Sequence, residues 1–573
     1  MDLNVVAYDE RGSNAFAQSE TCIIYSISTS VLDQNDVVIV GGGPAGLALA
    51  SALSSTKIVR DSLKITLVEA GDLSKVKDWN LDSNSYSNRV SSITGSSQTF
   101  LQDIGVWNDV DITRTNPIHE MQIWDGMSDA RITFDTSESG AWGTSESTPM
   151  ANMTENLNLQ RALLRYMSHS PTVRLLDRVK VVSIDREDKE GGLGWPLVHL
   201  SNGTTLRTRL LVGADGFNSP VRSYAGISSY GWAYDTQAIV ATLNHPERSQ
   251  FELPNNTAYQ RFLPTGPIAF LPLSPTTSSL VWSTKPRLAS TLTKADPAVL
   301  ASMINAAFRL PEVSVRYLHE SILDAHDADK PLSHSQIMEE IAWRERSHDI
   351  SRHSAYNSTS SVVSERGVPP DDSGSLPPLV TSIQPSTIAS FPLRYNHTDS
   401  YIGEGAGSRT VLIGDAAHTV HPLAGQGLNL GLADVEALAR CISSTVMQGG
   451  DIGSYTALLP YARERYFENH KVMSAVDKLH KLYSSTAEPV VWARSVGVEV
   501  LNELDSVKAA LMMNAGAYGR KRNLGSGWDV IASGFSLATG VVNATKIIGG
   551  GMTGLLGVGL QSLSKTLNQT NSK

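Results

Sequence analysis

The residues with the clearest chemical meaning are three glycines and one acid in the first part of the chain. Gly41, Gly43 and Gly46 stand at G-x-G-x-x-G spacing between the apolar run 37–40 and an Ala/Leu-rich segment. In such a strand–turn–helix unit the glycines permit the tight turn, close approach of a pyrophosphate and close helix packing. Glu69 ends a second apolar strand 23 residues after Gly46, near the ~20 expected for a ribose-binding carboxylate. The order predicts a bound dinucleotide; the alternative is a structural turn with a surface glutamate.

Two later strand ends carry further acids and glycines. Residues 210–218 (LLVGADGFN) form an apolar run that leads into Asp215 and Gly216. Residues 411–432 (VLIGDAAHTVHPLAGQGLNLGL) read as a strand ending at Asp415, a loop and a second glycine-rich helix start. A strand-end carboxylate can hold a sugar hydroxyl, and a helix N-terminus offers backbone N–H groups to an electron-rich ring edge. A plain Rossmann domain that binds one NAD does not need these two extra features. A longer, folded-over cofactor would contact both of them.

The segments GGGPAG (41–46), GADG (213–216) and GDAAHTVHPLAGQGLNLGL (414–432) together resemble the class A flavoprotein monooxygenases typified by para-hydroxybenzoate hydroxylase. The resemblance implies an α/β fold: a Rossmann-like FAD-binding domain, an inserted antiparallel β-sheet substrate domain and C-terminal helices. It implies FAD as cofactor, with Glu69 on the adenosine ribose, Asp215 near the pyrophosphate and Asp415 on the ribityl chain. The cofactor-contacting positions that it implies are Gly41, Gly43, Gly46, Glu69, Arg89, Gln160, Asp215, Gly216, Asp415, Pro422, Gly425, Gly427, Leu428 and Asn429, with Arg161 beside Gln160.

Residues 89–107, 261–273 and 425–438 are similar to one branch of this family, the ubiquinone-biosynthesis hydroxylases. The eukaryotic members that hydroxylate C5 of a polyprenylated 4-hydroxybenzoate ring fit best. This resemblance implies O2 as co-substrate, a flavin C4a-hydroperoxide as the oxygen donor and a phenol-activated ring as its acceptor. It further implies electrons from a ferredoxin and its reductase, with NAD(P)H as the alternative donor. A complex with other ubiquinone-biosynthesis proteins is also implied, peripheral on the matrix side of the mitochondrial inner membrane.

The sequence does not indicate a catalytic base, because the cofactor carries out the difficult chemical step in such enzymes. Two other readings stay open at this point: a flavin reductase or dehydrogenase on the same fold, and a non-catalytic flavin-binding subunit of a biosynthetic complex. Fold alone does not choose between them. His418 and His421 flank the third motif, but no further ligands stand at metal-binding spacing, so we expect structural or cofactor-lining roles and no metal.

Composition excludes several other classes of protein. The 573 residues carry a net charge of −10, which argues against an electrostatic nucleic-acid binder. Two cysteines allow at most one disulfide and exclude a thiolate-only zinc site. No run of about 20 apolar residues predicts a membrane-spanning helix. The acidic first 35 residues fit neither a signal peptide nor an ordinary mitochondrial transit peptide, so an import signal is not evident there.

The middle of the chain changes to a period of two over 237–244 and 260–284, which predicts antiparallel strands. Their aromatic residues read as core, or together as the wall of an apolar pocket. The tail 541–563 is apolar and glycine-rich and reads as a docking or membrane-surface segment, or as a poorly ordered end. The predicted organisation is an N-terminal extension (1–35), FAD-binding parts (36–115, 151–226 and 401–445), substrate-domain parts (116–150 and 227–400, with a flexible insertion at about 353–384), C-terminal helices (446–520) and a Gly-rich tail (521–573).

Overall fold

The structure is a computed structural model, and it describes residues 32–80, 84–136, 149–169, 172–187, 194–250, 252, 254–359, 370–422, 425–503 and 508. All of these belong to one compact unit of the chain. The predicted Gly-rich tail and almost all of the predicted N-terminal extension lie outside the described residues.

Strands and helices alternate through the first half of the chain, and helices dominate its end. The strands are β1 (Asp33–Val40), β2 (Ile65–Val68), β3 (Val90–Thr94), β4 (Thr115–Ile118), β5 (Glu120–Asp125), β6 (Arg131–Asp135), β7 (Ala151–Glu155), β8 (Val173–Leu176), β9 (Val181–Arg186), β10 (Pro196–Leu200), β11 (Thr205–Gly213), β12 (Ser229–Asn244), β13 (Thr257–Leu263), β14 (Gly266–Ser274), β15 (Thr277–Thr284), β16 (Ser382–Ile383), β17 (Ala389–Thr398), β18 (Thr410–Leu412) and β19 (His418–Thr419). The α-helices are α1 (Pro44–Ser55), α2 (Lys57–Ser62), α3 (Ser74–Lys77), α4 (Gly95–Asp103), α5 (Asn156–Ser168), α6 (Pro220–Tyr224), α7 (Pro286–Lys294), α8 (Pro297–Arg309), α9 (Glu312–Asp327), α10 (His334–Ser347), α11 (Gly427–Met447), α12 (Tyr455–Ser484) and α13 (Glu488–Asn502).

A seven-stranded sheet carries all three motifs. Its order is β8-β2-β1-β11-β10-β9, and β18 also pairs with β11, at residues 211–213. The strands β8, β2, β1, β11 and β18 are parallel, and β10 and β9 run antiparallel. Residues 37–40 and 210–213 are buried, as continuous apolar runs covered on both faces must be. Helix α1 packs on α5 and α11 beside this sheet.

A nine-stranded sheet contains the antiparallel strands predicted over 237–244 and 260–284, which confirms that prediction. Its order is β19-β17-β12-β15-β14-β13-β5-β6, with β16 beside β12, and all pairs are antiparallel except β13 with β5. One core joins this sheet to helices α7 to α10, and the indole of Trp282 is fully buried in it against His319. Residues 286–347, to which sequence analysis assigned no helices, therefore cover one face of the sheet.

Part of the segment expected to be a flexible insertion, 353–384, is packed against these helices. Leu376 and Val380 lie in the buried core. The Asn305 side chain both donates to the Val380 carbonyl and accepts from its N–H, at 2.9 Å each. Arg309 donates to the carbonyls of Ala355 and Pro377. Polar composition predicted a mobile loop here, but two buried polar side chains fix its backbone.

A small sheet and two long helices complete the unit. Strands β3, β7 and β4 form an antiparallel sheet beside the N-terminal end of α11. Helix α12 packs on α11, and α13 packs on β6. A buried ion pair between Arg494 and Asp125, at 2.6 Å, holds α13 in place. None of the helices in the described part of the chain combines the length and hydropathy needed to cross a bilayer.

Candidate active site

The register of the parallel strands brings the three distant motifs to one edge of the sheet. Val40 is level with Val68 on one side and with Gly213 on the other, and Gly213 is level with Leu412. All of these strands end at the same edge of the sheet. The glycine turn, Glu69, Asp215 and Asp415 follow the ends of the strands and therefore lie along this edge. The carboxyl edge of an open parallel sheet is where ligands bind in such folds.

The glycine turn depends on two glycines for its shape and leaves a third one open. Gly41 has φ +109°, and a Cβ there would lie 2.2 Å from the Ala214 carbonyl oxygen. A Cβ on Gly46 would lie 1.9 Å from the Gly41 carbonyl oxygen, so helix α1 needs a glycine to approach the turn. Gly43 caps the N-terminus of α1, and apart from its chain neighbours no atom of the described residues lies within 4 Å of the position its Cβ would take. That open space lies at a helix N-terminus, where free N–H groups favour an anion.

The Glu69 side chain folds over the turn. Its carboxylate accepts hydrogen bonds from the backbone N–H of Gly42 and of Gly71. The same contact explains Gly42, because a Cβ there would lie 2.9 Å from the Glu69 side chain. Glu69 is therefore held at the strand end by two backbone donors, and its solvent-facing lone pairs remain available to sugar hydroxyls.

Asp215 lies in the turn after β11, and Gly216 follows with φ +80°. Asp215 Oδ2 accepts a hydrogen bond from the Val221 N–H at 3.1 Å, and burial raises the pKa of this carboxyl. Its second oxygen, Oδ1, is buried and accepts no hydrogen bond from the described residues. A buried carboxylate oxygen without a donor is costly, which indicates a donor from a bound molecule or an ordered water.

Asp415 lies in a tight turn after β18, between buried residues on both sides. Its side chain is accessible to solvent, yet desolvation by the surrounding protein raises its pKa. An accessible carboxylate with a raised pKa is typical of a group in a recess rather than on a convex surface. Gly414 starts the turn with φ +57°. The recess places an acceptor where a hydroxylated chain can reach it.

A buried residue that sequence analysis passed over, Asp434 of α11, holds this turn. Its Oδ2 accepts hydrogen bonds from the Gly414 N–H at 3.0 Å and from His418 Nε2 at 2.6 Å. Its Oδ1 accepts from Arg465 Nε and from Asn469 Nδ2, both at 2.9 Å. Burial by itself raises the pKa of Asp434, but these partners lower it to about 2. The sequence contains one signal for this role: Asp434 lies between Gly431 and Leu438 at i, i+3, i+7 spacing, on the buried face of the helix.

The N-terminus of α11 is fixed by the side chain of Asn429. Asn429 Nδ2 donates to the Ser92 carbonyl at 2.8 Å, and its Oδ1 accepts from the Thr94 N–H at 3.1 Å. Gly425 has φ +59°, and a Cβ there would lie 2.8 Å from Ser92 Oγ. The backbone N–H groups of the first helical turn remain as donors. Among the predicted contacts of this loop, Gly427 begins the helix, Leu428 is partly buried against the core and Pro422 is half-buried.

Arg89 and Gln160 lie on neighbouring elements but differ in setting. Arg89 is exposed just before β3, and its carbonyl accepts from the Asn156 N–H at the start of α5. Gln160 is half-buried one turn further along α5. Arg161 is engaged elsewhere, because it donates to the Trp79 carbonyl at 3.0 Å and pairs with Asp111 at 3.3 Å. Arg161 therefore braces α5, and the cofactor contact that the resemblance implies for it stays a prediction.

The two histidines of the third motif have different surroundings. His418 is buried and bonded to Asp434. His421 packs edge-on against Tyr234, with ring centroids 5.1 Å apart. Within the described ranges, no group of three or more potential metal ligands of the His, Cys, Asp or Glu type comes together.

The residues at this edge fit FAD. Open space at the α1 N-terminus suits a pyrophosphate, the orphaned Asp215 oxygen and the recessed Asp415 suit hydroxyl donors, and the α11 N-terminus suits a flavin ring edge. Acids after three parallel strands and two glycine-rich helix starts define an FAD-binding flavoprotein.

Comparison with known proteins agrees with the geometry. The family model described as FAD binding domain matches residues 34–329 and 380–493. "Ubiquinone biosynthesis monooxygenase COQ6, mitochondrial" of Schizosaccharomyces pombe is 38% identical over 480 residues, covering 83% of this chain and 90% of that protein. Its namesake in Xenopus tropicalis is 39% identical over 481 residues, with 83% and 92% coverage. The structure of p-nitrophenol 4-monooxygenase PnpA from Pseudomonas putida DLL-E4 has the same fold, with a TM-score of 0.57, 16% identity and coverage of 86% and 100%.

These matches decide the family. The chain belongs to the FAD-dependent monooxygenases, in the branch of the COQ6-type ubiquinone biosynthesis monooxygenases. The predicted cofactor, fold class and enzyme class are confirmed.

Proposed function

We propose that this chain hydroxylates the C5 position of a polyprenylated 4-hydroxybenzoate-type ring in ubiquinone biosynthesis. The observation that carries the proposal is similarity over more than four-fifths of the chain to proteins whose names state a ubiquinone-biosynthesis monooxygenase. FAD, when bound, supplies the activation of O2 and the transfer of one oxygen atom to the ring. The protein supplies binding, orientation and exclusion of water.

The proposed roles follow the geometry of the sheet edge. Glu69 binds the adenosine ribose, and the open N-terminus of α1 at Gly43 binds the pyrophosphate. Asp215 accepts a hydrogen bond near the pyrophosphate, and Asp415 accepts one from the ribityl chain. Backbone N–H groups at the start of α11 face the flavin ring and stabilise negative charge there. Asn429 positions those donors through its bonds to β3.

The exposed stretch of β17 is the proposed wall for the ring of the substrate. Residues 389–392 are exposed, and Phe391 retains 42% of its surface. Just before this stretch, Asn88 next to Arg89 donates to the Thr387 carbonyl. Just after it, the guanidinium of Arg394 lies 4.9 Å from the Phe217 ring centroid, beside the second motif. The strand therefore passes over the cofactor edge, and Phe391 offers an apolar face that excludes water from the ring.

Electron supply and location are part of the same proposal. A ferredoxin with its reductase delivers the electrons, and NAD(P)H is the alternative donor. The protein acts in a complex with other ubiquinone-biosynthesis proteins, peripherally on the matrix side of the mitochondrial inner membrane, since a polyprenyl tail resides in lipid. The word mitochondrial in the names of its relatives supports the compartment.

The decisive experiment measures quinone intermediates in a cell that lacks this protein. We expect a polyprenylated ring without the C5 oxygen to accumulate, and the chain to restore the product with label from isotopically labelled O2. Purified FAD-loaded protein is then assayed with ferredoxin plus reductase and, separately, with NADPH. Product that contains no label from O2 would favour a reductase. A non-catalytic subunit would be favoured if several unrelated intermediates were lost in the cell and the purified protein turned over with neither donor.

Location is tested with a C-terminally tagged chain. We expect it in washed mitochondrial membranes and expect carbonate to release it. Purely cytosolic recovery would contradict the proposed location.

A further inference from the structure

A cavity of about 640 Å³ lies at the start of β12. It is next to the loop that carries His421 and Pro422, which we call the flavin loop. Its volume falls within the ~300–1,000 Å³ typical of small-molecule sites. Trp232 and Tyr234 of β12 form its aromatic wall, and the β13–β14 turn, α9 and the C-terminal end of α12 complete it. Leu263, Pro264 and Val315 add apolar surface.

Four side chains that line the cavity carry buried polar atoms without a hydrogen-bond partner among the described residues. They include two nine-tenths-buried groups, Thr236 with 5% and His319 with 6% of its surface exposed. The atoms are Thr236 Oγ1, Thr265 Oγ1, His319 Nε2 and His480 Nδ1. Buried polar atoms are normally satisfied, so four around one cavity indicate a molecule that supplies partners to them.

The charges at the cavity are paired with one another. Lys285 lies 3.0 Å from Asp235, and Lys481 lies 2.7 Å from Asp477. Burial lowers the pKa of His319 to about 4 and lowers that of His480, so both imidazoles are neutral near pH 7. Neutral imidazoles and hydroxyls both donate and accept. The chemistry therefore suits an uncharged ring with oxygen substituents rather than an anion.

An aromatic partition separates this cavity from the flavin loop. The Tyr234 ring lies 5.1 Å from His421 and 4.7 Å from His480, and the two imidazoles lie 4.8 Å apart. Tyr234 is anchored by its hydroxyl, which donates to Asp477 at 2.8 Å. The exposed β17 stretch proposed as the substrate wall is absent from the lining of this cavity.

We propose that this cavity is a second binding site for an uncharged phenol or quinone ring, separate from the flavin-facing surface. The choice of ring chemistry rests on the proposed function, because the substrate and its products belong to that class. The ring packs against Tyr234 and the apolar surface of Leu263, Pro264 and Val315. Its oxygens take the hydrogen bonds of the two threonines and two histidines.

The test is photolabelling of the FAD-loaded full chain with an azido-substituted prenylated benzoquinone, followed by peptide mapping. We expect label in peptides that contain residues 232–236, 263–265, 312–319 or 480–486. The double variant Thr236→Val, Thr265→Val keeps the side-chain volume but removes two hydrogen bonds to the ring. We therefore expect this labelling to fall at least 10-fold. Thr284→Val is the matched control, because Thr284 also has a buried unpartnered hydroxyl but does not line the cavity.

Retention of FAD and of the thermal unfolding transition checks that each variant folds. If the double variant fails this check, Ser484→Trp at the exposed rim blocks the mouth and replaces it in the test. Labelling equal to wild type in the cavity variants, or no label in these peptides, overturns the proposal and leaves a cavity that holds water. Cavity labelling in a protein that hydroxylates no phenol would contradict the proposed function alone.

Discussion

Replacing Asp434 by Asn tests whether a buried charge holds the flavin-binding turn. The variant keeps the size of the side chain and an oxygen for the Gly414 N–H, but it removes the negative charge that faces His418 and Arg465. The pKa of Asp434 is about 2 in the folded protein and about 4 in an unfolded chain. A pKa difference of this size corresponds to about 3 kcal/mol of stability. Leaving the Arg465 cation buried without its partner brings the expected loss to about 3–5 kcal/mol.

The sign of the pH dependence follows from the lowered pKa. The stabilisation by Asp434 is fully present above the unfolded pKa of about 4, and it is lost as the pH falls toward about 2. The difference between wild type and Asp434→Asn therefore shrinks below pH 4. Other carboxylates titrate in the same acid range, so only the difference between the two proteins is informative.

The assay is thermal unfolding of both proteins with saturating FAD, repeated over pH 3 to 8. A unit of about 500 residues has an unfolding entropy of ~1 kcal/mol/K, which converts to roughly 1 °C per kcal/mol, so we expect the variant to unfold about 3–5 °C below wild type at neutral pH. Asp324→Asn is the control, because Asp324 is an exposed acid on α9, and we expect a change below 1 °C. A midpoint for Asp434→Asn within 1 °C of wild type, or a difference that grows in acid, would refute the reasoning.

Four further substitutions probe the cofactor site. Asp415→Ala removes a charge-assisted hydrogen bond worth ~1.5–3 kcal/mol, so FAD affinity measured by fluorescence titration falls roughly 10- to 150-fold; a yellow protein of wild-type affinity would refute the assignment. Gly43→Ala leaves the apoprotein as stable as wild type but weakens FAD binding. Gly46→Ala lowers apoprotein stability by ~1–3 kcal/mol, because the added Cβ meets the Gly41 carbonyl oxygen. Equal denaturation midpoints for the two variants would contradict this difference. Asn429→Ala breaks bonds to Ser92 and Thr94 and lowers FAD affinity at least 5-fold, with the exposed Asn202→Ala as control in the same titration, and unchanged FAD binding would show that α11 is positioned without it.

Local patterns in the sequence predicted much of the fold. A continuous apolar run before spaced glycines can be read directly as a buried parallel strand and a helix start, because both signals lie within about 20 residues. The hydrophobic period of two likewise predicted antiparallel strands where the structure has β12 to β15. The order of three motifs, together with family resemblance, was sufficient to predict FAD. The helices α7 to α10 were passed over, although their periodic apolar residues pack on the sheet.

Tertiary structure decided how the motifs work together. Strand register brings Gly41, Asp215 and Asp415 to one edge, and no local pattern encodes the register of strands more than 150 residues apart. Asp434 acquires its role only when α11 turns toward Arg465 on α12, because the sequence shows an acid but not its burial or its partners. Electrostatics and hydrogen bonding depend on distance in space, whereas sequence patterns report only neighbours along the chain.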